Sequence, residues 1–275
     1  MLVREFANTV AFNERVKSFL FEREFNNNLA LSSLIALSHK PVQGVRFFAA
    51  ENGPLVEAAC ILTRRGRLVV ISQSDQATDR LLDHLNDLES KTDLKVRTAF
   101  LPTNALGSVH SNRFEVHGQQ VLMKCTKITQ PKSADGFFKI ASEKDFPRLL
   151  EWTKAFAVEC RLDDTPQEAE DTLRRFIESK QAFVWETTKK PVAMAAFGGM
   201  TPKASRISLV YTDPKERNKG YAEILVHRLA HRILEKKEAA LLFADLSNKT
   251  SVALYERLGF SKLEEFTELR LQDPK

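Results

Sequence analysis

The chain has 275 residues, of which 43% are hydrophobic and 28% are charged, and its formal net charge is +5. This composition is typical of an ordinary globular protein with one large domain or two modest ones. The charge is too small to indicate nucleic-acid binding by itself, and no unbroken apolar run approaches the ~18 residues of a membrane span. Charges are scattered through the opening MLVREFANTVAFNERVK, so we expect no secretory signal. Cys60, Cys125 and Cys160 have no paired spacing, which favours a reducing cytoplasm over a disulfide framework or a metal site.

The first half is predicted to open with two helices, at about 9–24 and 29–38. Three strand-like runs follow, VRFFAA, LVEAACILT and RLVVIS, with turn signals at Gly53-Pro54 and Gly66 between them. ATDRLLDHLNDLES repeats leucine at helical spacing and predicts a third helix. Two further strands are predicted in LKVRTAFL and HGQQVLMKCTKI.

Proline, glycine and small polar residues in TQPKSADG predict a domain boundary near 130–136, which divides the chain into domains 1–130 and 135–275. After it the same plan of helices, antiparallel strands, helix and strand begins again. Ser142 is predicted to cap the first helix of the second half, and Thr165 the next, which has Pro166 at its first position. AFVWETTKKPVAMAAFGGM predicts a hairpin that turns at 188–190. The fold class is therefore α+β, with mixed sheets, and the order of elements suggests duplication without a residue-level repeat.

The segment VYTDPKERNKGYAEIL runs from a β-rich stretch into a predicted helix, with Arg217, Lys219 and Gly220 at the junction. The first turn of a helix carries unpaired N–H groups and the positive end of the helix dipole. Gly220 lets a ligand approach the backbone without a Cβ in the way, and the two cations add positive charge at the same point. A pyrophosphate is the natural ligand of such a junction. The alternative is a solvated loop with ordinary surface charges.

A second segment, FADLSNKTSVALYERLGF, predicts a strand and then a short helix that carries Tyr255 and is closed by Gly259. RNKGYA at 217–222, together with this Asn…AlaLeuTyr…GlyPhe segment, resembles the GNAT superfamily of acyl-CoA N-acyltransferases. The first motif fits the family's R/Q-x-x-G-x-G/A pyrophosphate loop, and the resemblance covers about 137–271. The first half is similar to the degenerate GNAT-like module that precedes the catalytic one in some bacterial members. It has no counterpart of the loop, so we do not expect it to bind coenzyme.

The resemblance implies acetyl-CoA as co-substrate, with its pantetheine arm on a splayed strand and its pyrophosphate on the loop. The implied coenzyme-binding residues are Val210, Tyr211, Thr212, Arg217, Asn218, Lys219, Gly220, Tyr221, Ala222 and Asn248. Tyr255 is implied to lie near the thioester sulfur, where a phenol with a pKa near ~10 could protonate the leaving thiolate. Its alternative role is that of a helix aromatic in the core.

Transfer of an acyl group to an amine benefits from a general base, although water can serve. Glu159 is the first candidate, and Asp245, on the strand beside the thioester, is the second. The alternative for Glu159 is a solvated carboxylate near a helix end. Trp152, Phe156 and Trp185 could line an acceptor pocket or belong to the core. His227 and His231 lie one turn apart but without a third ligand, so they read as helix surface and no metal is expected.

The sequence thus predicts an acyl-CoA-dependent N-acetyltransferase that acts on a primary amine of a small molecule, such as an amino acid, an antibiotic or a polyamine. The alternative is a non-catalytic GNAT-fold protein that senses CoA or binds a partner. We expect a cytoplasmic monomer or homodimer, without a nucleic-acid or membrane partner.

Overall fold

The computed structural model describes residues 1–107, 113–188 and 190–272. The chain forms two compact units: Met1–Leu122 together with the segment that starts at Lys262, and Met123–Ser261. The predicted boundary at 130–136 follows shortly after the point where the chain enters the second unit. The segment that starts at Lys262 groups with the first unit, whereas the predicted domain 135–275 includes it. The division into domains 1–130 and 135–275 stays a prediction. Among the described helices, none is long and apolar enough to cross a membrane.

The N-terminal part of the chain supplies six strands and three α-helices among its described residues. These are β1 (Leu2–Phe6), α1 (Thr9–Glu22), α2 (Asn28–His39), β2 (Arg46–Asn52), β3 (Leu55–Leu62), β4 (Arg67–Ser72), α3 (Asp75–Lys91), β5 (Thr98–Pro102), a short 3-10 helix (Thr103–Ala105) and β6 (Phe114–Cys125). β1 to β4 pair in succession as antiparallel neighbours, and β4 pairs with β5 in parallel.

The C-terminal part repeats this order of elements. It contains β7 (Phe137–Ile140), α4 (Phe146–Glu159), α5 (Pro166–Glu178), β8 (Ala182–Glu186), β9 (Pro191–Gly198), β10 (Ala204–Thr212), a 3-10 helix (Pro214–Glu216), α6 (Tyr221–Leu234), β11 (Ala239–Asp245), α7 (Lys249–Arg257) and β12 (Ser261–Leu271). β7 to β10 are antiparallel neighbours in succession, and β10 pairs with β11 in parallel. The predicted repetition of the plan and the α+β class with mixed sheets are confirmed.

β12 does not stay with the elements that directly precede it in sequence. It pairs antiparallel with β5, from Phe266↔Pro102 to Arg270↔Thr98, and so completes the sheet of the first unit. Phe266 and Leu269 are buried there, and the Phe266 ring stacks on Phe100 with 5.1 Å between ring centroids. The first unit is therefore built from two separate stretches of sequence.

Successive side chains of a strand pack into cores on opposite faces of the sheet. In β2, Phe47 and Ala49 pack into a core with α1 and α2, whereas Phe48 and Ala50 pack into a core with α3. The period of two along a strand directs successive side chains to opposite faces, which explains why β2 is apolar throughout. In the second unit, a core between α4, α5 and the sheet holds α4 in place. The predicted site residue Glu159 lies at the end of this helix.

Three sequence predictions about local structure need correction. Ser142 does not cap α4: the helix has Asp145 at its N-cap, and the Asp145 carboxylate accepts hydrogen bonds from the Ser142 N–H and hydroxyl, each at 2.8 Å. The sequence also missed β1 and β12, because their exposed residues hide the apolar period. Thr165 and Pro166 are confirmed, with a full capping box that includes Glu168. Lys189, in the predicted hairpin turn, lies outside the described residues.

Candidate active site

β10 and β11 separate at their carboxyl ends. Their parallel pairing runs from Ala204↔Ala239 to Ile207↔Leu242, yet β10 continues to Thr212 and β11 to Asp245. The register of β10 against β9 shifts between Ser208 and Tyr211, which marks a bulge. A bulge bends its strand and increases the local twist. The carboxyl end of β10 therefore lies beyond the paired segment on its β11 side, and its backbone can serve a ligand there.

Leu209 sits inside this bulge with φ 51°, in the left-handed region. A β-strand residue with a bulky side chain rarely adopts this conformation, and the strain is of order 1–3 kcal/mol. The side chain is nevertheless buried in the core beneath α4 and α5. The core thus holds the bulge in place, and the strand end beside it is fixed before any ligand arrives.

A tight loop connects β10 to α6. The Asp213 carboxylate accepts a hydrogen bond from the Lys215 N–H at 3.0 Å and starts the short 3-10 helix. The chain then turns through two left-handed residues, Asn218 with φ 63° and Gly220 with φ 81°. A Cβ placed on Gly220 would meet no heavy atom of the described residues within 4 Å. Glycine is therefore favoured at this position by the left-handed backbone conformation and not by close packing. The space above the backbone of Gly220 is open.

The N-terminus of α6 has no side-chain cap. Gly220 is its N-cap, and the first helical bond joins the Ile224 N–H to the Gly220 carbonyl at 3.1 Å. The neighbouring α5 and α7 are both capped by a side chain, from Thr165 and Asn248 respectively. The amides of the first turn of α6 thus point out of the helix without an internal partner, at the positive end of its dipole. The predicted start of the helix directly after Gly220 is confirmed.

Both cations predicted for the phosphate site are paired with carboxylates of the chain. The Arg217 Nη2 lies 2.8 and 3.0 Å from the two carboxylate oxygens of Glu159, and the Lys219 Nζ lies 2.7 Å from Glu216. Glu216 also faces Lys190 at 3.4 Å. These pairs are partly exposed, so water and salt weaken them. The sequence placed the cations at the junction but missed their partners.

Glu159, at the C-terminal end of α4, joins this cluster. Its Oε1 accepts a hydrogen bond from the Tyr211 hydroxyl at 3.3 Å, and the Arg217 guanidinium lies over the Tyr211 ring, 5.3 Å from its centroid. Burial and the nearby Glu159 charge raise the pKa of Tyr211, although Arg217 opposes this. Burial acts to lower the pKa of Arg217, but hydrogen bonds with Glu159 and its charge raise it overall. Glu159 is thus a paired carboxylate and not merely a solvated one.

Tyr255 lies on α7 and is 7% exposed. Burial, with a contribution from Cys160, raises its pKa above the ordinary value. The phenol therefore stays protonated at physiological pH, and the sequence argument, which used an unperturbed pKa, overstated how readily it gives up its proton. Its ring lies 6.0 Å from that of Phe260, between centroids, so the helix aromatic is also a core residue.

Cys160 was not predicted as a site residue. It follows Glu159 at the end of α4, and burial together with the negative charges of Asp245 and Glu159 raises its pKa to about 11. The two candidate bases therefore both act on this thiol, as it in turn acts on Tyr255. Cys160 therefore lies within electrostatic range of Glu159, Asp245 and Tyr255. A lone cysteine carries no sequence signal for such a position.

The remaining predicted residues are placed as follows. The Asn248 side chain accepts a hydrogen bond from the Ser251 N–H at 3.0 Å, so it caps α7. Asp245 accepts from the N–H and hydroxyl of Ser247, each at 2.7 Å, at the end of β11. Trp152 and Trp185 are 5% and 3% exposed, so they belong mainly to the core.

The prediction that the two histidines of α6 lie on the helix surface is wrong for His227 and confirmed for His231. His227 is 5% exposed and its Nδ1 has no hydrogen-bond partner among the described residues, whereas His231 is exposed. Burial, followed by the charges of Arg228 and His231, lowers the pKa of His227. The described residues contain no cluster of three or more His, Cys, Asp or Glu side chains with the arrangement of a metal site.

Known proteins resemble this chain at the level of a domain model and of whole structures. A family model described as FR47-like protein matches residues 187–270, which include the loop, α6 and α7. A GCN5-related N-acetyltransferase from Sphaerobacter thermophilus aligns with a TM-score of 0.68 at 14% identity, over 98% of this chain and 94% of its own. A GNAT-family acetyltransferase from Colwellia psychrerythraea aligns at 0.61 and 13% identity, over 99% and 100% of the two chains. The chain has the GNAT fold.

This GNAT fold extends over both units. A tandem GNAT protein from the clavulanic acid biosynthesis pathway aligns over 100% of both chains, with a TM-score of 0.59 and 10% identity. No curated protein sequence matches the chain.

The two units of this GNAT fold differ at the helix that connects the two parallel strands, α3 between β4 and β5 and α6 between β10 and β11. In the first unit, the N-terminus of α3 is capped by the Ser74 hydroxyl, which accepts from the Ala77 N–H at 3.3 Å, and Asp75 adds negative charge to its first turn. The cap occupies one of the amides that an anion would need, and it is the cap that distinguishes the two helices, because the first turn of α6 also carries an acidic residue, Glu223. That only the second half binds coenzyme stays a prediction.

Proposed function

We propose that the chain is an acyl-CoA-dependent N-acyltransferase, which moves acetyl from acetyl-CoA to the primary amine of a small molecule such as an amino acid, an antibiotic or a polyamine. One observation carries the proposal: in a chain with the GNAT fold, α6 begins with an N-terminus that has no side-chain cap among the described residues, and only a short loop separates it from the bulged end of β10. An anionic, elongated ligand suits this pair of features, because one end meets unpaired amides and the other meets a free strand edge.

The fit to acetyl-CoA rests on the chain's own groups. The backbone N–H groups from Arg217 to Ala222 would hold the pyrophosphate, and the open space above Gly220 admits its oxygens close to the backbone. The Arg217 and Lys219 side chains would add charge. Backbone groups of Val210 and Thr212 would bond the pantetheine arm along the end of β10. Asn248, at the start of α7, would contact the pantetheine or the thioester region.

Bound acetyl-CoA supplies an acetyl group activated as a thioester. The chain's task is then to hold a neutral amine against the carbonyl and to manage two protons. Glu159 or Asp245, or water held between them, would accept the proton of the amine. The Tyr255 phenol, which burial keeps protonated, would donate a proton to the departing sulfur. We place the reaction in the cytoplasm, where the three free cysteines would stay reduced.

Calorimetric titration with acetyl-CoA, CoA and desulfo-CoA tests the first part of the proposal. We expect micromolar binding at one site per chain for all three, because the phosphates are common to them. A panel of amines assayed for release of the CoA thiol then tests turnover. Binding without thiol release by any amine would favour a non-catalytic CoA sensor, and the absence of binding by every CoA species would refute the proposal.

A further inference from the structure

The Arg217 guanidinium already occupies groups that coenzyme would need. Its Nη2 contacts both carboxylate oxygens of Glu159, at 2.8 and 3.0 Å, and its Nε donates to the Thr212 carbonyl at 3.2 Å. The Thr212 carbonyl belongs to the strand end proposed for the pantetheine arm, and Arg217 is proposed for the pyrophosphate. These internal contacts therefore compete with the proposed ligand contacts for the same side chain and the same strand end.

Breaking the internal contacts of Arg217 costs little free energy. The side chains of Arg217 and Glu159 are 41% and 48% exposed, so solvent screens their attraction. A pyrophosphate offers the guanidinium a paired arrangement of oxygens with higher charge, and such bidentate contacts are among the strong charge-assisted hydrogen bonds. The Arg217 guanidinium can stay over the Tyr211 ring while it changes its hydrogen-bond partner, because the contact with the ring does not depend on the hydrogen bonds to Glu159.

We propose that Arg217 exchanges Glu159 and the Thr212 carbonyl for the pyrophosphate when coenzyme binds, and that this exchange frees the Glu159 carboxylate to bind the acceptor as an ammonium group, which then gives up a proton to become the neutral amine that attacks the thioester. The inference rests on the proposed function and adds to it a coupling between the two substrates. Glu159 is here a positioning residue for Arg217 in the free chain and an acceptor-binding residue in the complex.

The freed carboxylate would not be left without orientation. The Tyr211 hydroxyl lies 3.3 Å from its Oε1 and continues to donate to it. With Arg217 withdrawn, the positive partner nearest to Glu159 is gone, and a cationic amine is the natural replacement. Because coupling between two ligands is reciprocal, a cationic acceptor would also tighten coenzyme binding.

A double-mutant cycle measured by calorimetric titration with CoA tests the exchange. In Glu159→Gln the internal competitor loses its charge, so we expect affinity to rise about two- to fivefold, the range that exposed ion pairs span. In Arg217→Gln affinity should fall, and adding Glu159→Gln to that variant should change nothing further. Equal tightening in both backgrounds would mean that Glu159 only repels the phosphates at a distance, and no tightening in either would mean no competition; each result overturns the exchange.

A matched control and a kinetic readout separate the exchange from a structural effect. Glu170→Gln breaks an ion pair of the same kind, with Arg174 at 2.8 Å on α5, and should leave CoA affinity unchanged. In turnover assays Glu159→Gln should lower the KM for acetyl-CoA while lowering kcat, and Glu159→Asp should restore part of kcat. If neither the natural chain nor any variant binds CoA, the proposed function and the exchange both fail. If the natural chain binds CoA but Glu159→Gln does not change its affinity, only the exchange is overturned.

Discussion

Replacing Gly220 by alanine tests whether phosphates approach the backbone at the start of α6. Gly220 has φ 81°, and a left-handed backbone costs a residue with a Cβ about 1–2 kcal/mol of stability. Its Cβ would meet nothing within 4 Å among the described residues, so no clash adds to that cost. In the complex, however, the methyl group would stand where phosphate oxygens meet the amides. Loss of one hydrogen bond to a charged oxygen is worth about 1.5–3 kcal/mol, which corresponds to roughly 10- to 100-fold weaker CoA binding.

Gly53 provides the matched control. It lies in the turn between β2 and β3 with φ 58°, and a Cβ there likewise meets nothing within 4 Å. Both alanine variants should therefore lose similar stability, seen as a melting temperature lowered by a few degrees. Only Gly220→Ala should lose CoA affinity in calorimetric titration. Equal CoA affinity of the two variants and the natural chain would refute phosphate binding at this helix terminus.

Three further predictions concern single side chains. Arg217→Glu should weaken acetyl-CoA binding about tenfold or more, because it reverses a charge at the phosphates; unchanged affinity in calorimetry would contradict the loop's role. Tyr255→Phe should lower turnover by about 10²-fold with coenzyme affinity nearly intact, since only a general acid is removed, and a fully active variant would count against that role. Burial is the main cause that lowers the pKa of His227, so protonation of this imidazole disfavours the folded state relative to the unfolded state. Its contribution to stability is therefore complete above its ordinary pKa of 6.5 and is lost as pH falls below it, by at most about 1.4 kcal/mol per pH unit. Chemical denaturation at pH 7.5 and 5.5 should show a smaller difference for His227→Phe than for the natural chain, and equal differences would contradict the argument.

The loop from Arg217 to Ala222 was predictable because its signals are local. A proline and cations after a strand, then a lone glycine before an apolar helical stripe, are read within one window of sequence. The structure confirms that α6 starts at Tyr221. The wrong cap of α4 shows the limit of such signals, since Ser142 and Asp145 are both good caps and only their mutual hydrogen bonds decide between them.

The partners of the site residues were not predictable, because they are distant in sequence. Glu159 and Arg217 are separated by 58 positions, and nothing in either segment indicates that they form a pair. The sequence therefore offered Glu159 as a candidate base, which stays a prediction, but missed the ion pair with Arg217 that holds its side chain. The buried state of His227 was missed for a related reason: an apolar stripe shows which face of a helix is buried but not how wide the neighbouring sheet is.

The pairing of β12 with β5 has a consequence for how the chain is made. The first unit lacks a strand until residues 261–271 have been synthesised, so the earlier elements of its sheet must wait with the β5 edge open while the whole second unit is translated. An open strand edge is a template for unwanted pairing with other chains. The second unit, Met123–Ser261, is continuous in sequence and can close before β12, which belongs to the first unit from Lys262 onward, is available to complete the unit that began the chain.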